Sequence, residues 1–167
     1  MKKRILSGIL VAAMATTMFA TTAFAAEAEG TTKVIYDNRK QITDPDNGNN
    51  PQWAVNIPST IIFTDDDKEI ATDVELTALN GSNIEATTVA VTVTSTNNYV
   101  MGLGEDKTDD PVAYSLLYND TVMSGEKASV GSLRGNGDTI SGVARMTGTA
   151  TKAGEHTDIL TYYASAN

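Results

Sequence analysis

The most regular pattern in the chain is TTVAVTVTS, residues 87–95, in which Val89, Val91 and Val93 alternate with small or hydroxylated residues. A period of two places the three valines on one face of a strand, whereas a helix would scatter them around its circumference. The same reading predicts strands over 33–36, 53–57, 60–63, 73–79, 99–103, 112–118, 139–147 and 156–164. Strong helix formers cluster nowhere for long enough to make an amphipathic helix. Between the predicted strands, Asn80-Gly81, Gly125 and Asn136-Gly137 supply residues that tolerate positive φ. Pro58 and Pro111 interrupt or start strands without needing a ladder donor. Many short strands separated by turns at intervals of roughly 8 to 12 residues predict an all-β fold, an antiparallel β-sandwich.

The N-terminus follows another pattern. Lys2, Lys3 and Arg4 precede an apolar run over residues 5–19, and Ala23-Phe24-Ala25 forms a small-x-small cleavage site. This predicts a secretory signal peptide over residues 1–25. Ser7, Gly8, Thr16 and Thr17 interrupt the run, which is short for a bilayer span, so no membrane insertion is expected after cleavage. The expected product, residues 26–167, is long enough for one domain with its own core. It is expected outside the cell, secreted or associated with the surface.

Charge narrows the partners. Removing Lys2, Lys3 and Arg4 leaves 9 Lys+Arg against 21 Asp+Glu, a formal charge near −12. Such a chain, with no basic cluster, lacks the electrostatic footprint of a nucleic-acid or anionic-lipid binder. With no cysteine, packing and strand pairing alone must hold an exported fold.

Candidate chemistry is sparse. DPDNGNN, residues 44–50, offers Asp44 and Asp46, with Asn47, Asn49 and Asn50, as oxygen ligands bent around Gly48. Calcium takes such ligands, but an EF-hand loop closes with a glutamate six residues past the glycine, where this chain has Ala54. Pro45 and Pro51 suit an Asx-rich turn equally well. This loop would hold calcium only if the acidic stretch 65–67 or 105–110 folds against it. His156 is the only histidine, there is no G-x-S-x-G elbow, and zinc cannot be held by one histidine without cysteine. The reading is therefore a non-enzymatic module without a cofactor other than that calcium candidate, with a secreted enzyme or enzyme inhibitor as an alternative of a different class. Lys33, Val34, Ile35 and Tyr36 form either the first strand of the domain or an arm that completes a neighbouring molecule by strand addition.

Three segments resemble the WxL-type surface domains of Gram-positive bacteria. Ile57-Pro58-Ser59-Thr60-Ile61-Ile62-Phe63 is similar to that family's Val-Pro-Ser-x-Ile-x-Phe strand. VTVTSTNNYVM is similar to its alternating valine strand with the first W-x-L. Ala153-Gly154-Glu155-His156-Thr157-Asp158-Ile159-Leu160-Thr161-Tyr162 is similar to the strand carrying the second. Where the family has Trp-x-Leu, this chain has Tyr99-Val100-Met101 and Tyr162-Tyr163-Ala164. Fimbrial sandwiches share the Thr/Val strands and the A-G-x-Y-T type of ending. The resemblance implies an immunoglobulin-like or WxL-like sandwich held non-covalently on a cell-wall polymer or a surface protein. It implies Tyr99, Met101 and Tyr162 as binding residues. The fimbrial alternative implies self-association through residues 33–36.

Overall fold

Residues 88–95 form strand β5 (Thr88–Ser95), whose side chains are buried at every second position, with Val89, Val91 and Val93 fully enclosed. The computed structural model describes residues 41–166. The signal segment and the 33–36 strand candidate lie outside the described residues. The other strands are β1 (Gln41–Thr43), β2 (Trp53–Asn56), β3 (Glu69–Ala71), β4 (Val74–Ala78), β6 (Val100–Leu103) and β7 (Asp109–Tyr118). They are followed by β8 (Thr121–Val122), β9 (Ala128–Arg134), β10 (Thr139–Ile140), β11 (Gly142–Met146), β12 (His156–Thr157) and β13 (Leu160–Ala166).

Every pairing among these strands is antiparallel. The first sheet runs β1-β2-β4-β10, the second β13-β5-β9 and the third β12-β6-β7-β11-β3, with β8 also on β7. All three sheets contribute to one apolar cluster, which includes Trp53, Val55, Leu76, Val91, Leu116, Leu133 and Tyr162. The fold is an antiparallel β-sandwich.

Two long ribbons bend from one sheet into another. The 139–147 prediction is one strand, but the chain breaks at Ser141: β10 pairs with β4 in the first sheet and β11 with β3 in the third. The partner strand breaks at the same level, at Thr72-Asp73, so the ribbon turns as a unit. The 156–164 prediction breaks similarly at Asp158-Ile159, with β12 on β6 and β13 on β5. Such corners let an antiparallel sheet fold over its own core. Each needs polar anchoring, because the ladder is interrupted there.

Residues 60–63 are not a strand. Ile61 and Phe63 pack against the core while Ile62 is 66% exposed, so the alternation is real although no ladder forms. Strand β9 is absent from the prediction. Its buried residues, Val130 and Leu133, stand three apart, because a bulge sets Val91 opposite Gly131 and Thr92 opposite Ser129. The extra residue breaks the period of two. Strand β7 begins at Asp109, before the expected start at 112. A second bulge accommodates Pro111, with Asp110 at φ 44°.

Candidate functional site

Strand β7 carries a row of inward side chains, and every second one bears a polar group: Asp110, Tyr114 and Tyr118. Each fixes a different break in the β-structure. Tyr118 Oη donates to the carbonyl oxygen of Thr72 at 2.8 Å and lies 2.8 Å from the hydroxyl of Tyr162. It thus ties the first corner to β13. Gly142 stands at that corner, where a Cβ would collide with the Tyr118 ring and lie 2.7 Å from Thr72 Oγ1.

Tyr114 serves the second corner. Its hydroxyl donates to Asp158 Oδ2 at 2.6 Å, as does Ser95 Oγ at 2.6 Å. Asp158 Oδ1 accepts from the amides of Asn97 and Ile159. Ser95 Oγ in turn accepts from the amide of Tyr99 at 2.6 Å. Burial, then the bond to Asp158, raises the Tyr114 pKa far above that of an exposed phenol. Burial likewise raises Tyr118 and Tyr162.

Asp110 anchors the segment between β11 and β12. Its carboxylate accepts from Thr151 Oγ1 at 2.6 Å, from the Thr151 amide, from the Lys152 amide at 2.8 Å, and faces His156 Nε2 at 2.8 Å. The Thr151 hydroxyl and then the Lys152 amide hold this carboxyl well below the usual carboxylate range. His156 Nδ1 faces the carbonyl oxygen of Gly154 at 3.2 Å. Both ring nitrogens thus face oxygen atoms of the fold. The interaction is enclosed, with the two side chains 9% and 6% exposed.

The residues singled out in the sequence fall into separate places. Tyr99 and Tyr162 are each 8% exposed and belong to the core. Tyr99 sits at φ 62° after Asn98 at 52°, in the tight turn joining β5 to β6. A bulky residue there is strained, and burial of its ring against Tyr114, 5.9 Å between centroids, offsets the cost. The Tyr99 hydroxyl is buried without a partner among the described residues. Met101 is half-buried against the core.

Asp44 is buried at the start of its loop. Oδ1 accepts from the Asp46 amide at 3.0 Å and Oδ2 from Asn47 Nδ2 at 2.9 Å, an Asx-turn arrangement that lowers its pKa, chiefly through Asn47. Asp46 is exposed. Among the described residues, no three His, Cys, Asp or Glu side chains gather as a cation site. Asp65 to Asp67 lie in a turn closed by Thr64, whose Oγ1 accepts from the Asp67 amide and whose own amide donates to the Asp67 carbonyl oxygen. Asp109 pairs with Lys152.

The anchoring roles of Asp110, Tyr114, Tyr118 and Asp158 are absent from the sequence reading. Asp158 left one trace, a charge inside an otherwise strand-like stretch. Compared with known proteins, the chain matches no family model and no curated protein.

Proposed function

We propose that the chain is a secreted, non-enzymatic surface module that associates non-covalently with a cell-wall polymer or a surface protein. The observation that carries this reading is the saturation of its buried and half-buried carboxylates. Asp44, Asp110 and Asp158 each accept several donors from their own fold. Groups so committed act as scaffold, leaving recognition to exposed faces and edges. The leader pattern, the acidic composition and the WxL-like segments point the same way. In this reading Tyr99 and Tyr162 shape the sandwich, and Met101 supplies packing at its rim. Cell fractionation tests it. The protein should appear with the wall and leave it under denaturant without a covalent cut; recovery wholly in the cytosol would refute the reading.

A second reading is a fimbrial-like subunit that donates residues 33–36 to its neighbour. It is favoured by β13, which among the described residues is an edge strand of seven residues without the lysine, proline or bulge with which edges are commonly blunted. Removing residues 26–37 should then abolish multimers that wild type forms at high concentration. Monodisperse wild type by light scattering would end this alternative.

A further inference from the structure

The outer face of the β13-β5-β9 sheet differs in chemistry from the rest of the molecule. Because the valines of β5 point inward, the opposite residues point to solvent. Register places Tyr163, Thr92 and Ser129 in one row across the three strands, and Ser165, Ala90 and Ser132 in the next. These two rows contain no carboxylate, in a chain with 21 Asp+Glu and a formal charge of −9. The next row adds Arg134 opposite Thr88.

Tyr163 stands out within this face. It is 45% exposed, among the largest exposed apolar surfaces of the described residues. Lys127 Nζ lies 5.0 Å from its ring centroid, and the Lys127 amide is fixed by Thr94 Oγ1 at 3.0 Å. The cation covers one side of the ring and helps hold it in place. Beside the ring is an open depression of about 470 Å³, lined by Thr94, Thr96, Asn98 and Glu126 together with Lys127.

We propose that this face is a docking platform for an uncharged polysaccharide, with Tyr163 as the ring on which a sugar stacks. The inference rests on the surface-module reading and gives that module a site and a ligand class. Hydroxyl side chains donate and accept equally, as sugar hydroxyls do. A tyrosine ring offers an apolar surface to the C–H face of a pyranose and a polar tip to its rim. Charge decides between polymer classes. The acidic body of the protein repels a polyanion at long range, whereas an uncharged chain meets two rows without carboxylates and is not repelled by Glu126 at their margin.

The test is co-sedimentation of the full secreted chain with Gram-positive walls, before and after anionic polymers are stripped from them. Tyr163→Ala and Ser129→Glu are compared with wild type after thermal melting has confirmed that both remain folded. Wild type should bind stripped walls as well as intact ones, with little effect of high salt, which screens exposed charges within a few ångströms. Each variant should bind on the order of tenfold more weakly. If both variants bind like wild type, the platform is refuted while the surface-module reading stands. If wild type binds neither wall preparation, wall association and the platform fall together. Binding confined to intact walls and abolished by salt would assign the face to an anionic polymer and overturn the proposal.

Discussion

Asp158 is the polar centre of the second corner. Ser95 and Tyr114 hydroxyls and the Asn97 and Ile159 amides all converge on it. Replacing it with alanine strands these donors at a corner, and should cost about 2–4 kcal/mol, measured as a fall in the urea midpoint. Tyr114→Phe removes a single donor and should cost roughly 1.5–3 kcal/mol; an unchanged midpoint would show that the hydroxyl adds nothing net. Gly142→Ala tests the other corner. The added methyl meets the Tyr118 ring and Thr72, so a loss of about 1–3 kcal/mol is expected. The sequence showed aromatic residues at 99 and 162 but not their direction. Whether a tyrosine in a strand faces a ligand or the core depends on which neighbours enclose it, and those neighbours come from distant strands.

At the scale of elements, legibility followed the period. β5 was readable because all three of its valines obey alternation, whereas β9 was hidden because its bulge at Gly131 shifts Leu133 to the wrong parity relative to Val130. Residues 60–63 misled for the converse reason. Ile61 and Phe63 alternate with an exposed Ile62 to cover the core, and covering a core does not require ladder hydrogen bonds. The segment between β11 and β12 is held chiefly by Asp110, beside the Asp109–Lys152 pair, an anchoring role that the acidic stretch 105–110 did not reveal in the sequence. Asp110→Ala should release it, and trypsin should then cut after Lys152 on the order of tenfold faster than in wild type, read by mass spectrometry. The same carboxylate sets an acid limit. Its folded pKa lies below the unfolded value of about 3.9, so its contribution is complete above about pH 4 and fades as pH falls below that value. Asp110→Asn should be less stable near neutrality and should show a flatter loss of Tm between about pH 5 and pH 2.

For the whole molecule, the alkaline side is governed by the buried phenols. Tyr114, Tyr118 and Tyr162 all have folded pKa values above that of a free tyrosine, because burial disfavours the phenolate. Their contribution is therefore complete below about pH 10 and is lost above it, as the unfolded chain ionises first. Ultraviolet titration should show these three phenols ionising together with loss of β circular dichroism. Smooth independent titration of all of them would contradict their burial. The all-β architecture was open to sequence because it rests on alternation repeated many times. The bent ribbons were not, because Ser141 and Asp158 become corners only when two strands break at the same level.

The pairing of β13 with β5 extends from Leu160 opposite Ser95 to Ala166 opposite Val89, without a bulge. A pulling force directed along β13 loads all of these rungs in parallel, in shear, so they must fail together. The same force applied across the strand would open them one at a time, like a zip. The sandwich is therefore mechanically anisotropic: stiff to tension along its last strand and compliant to peeling.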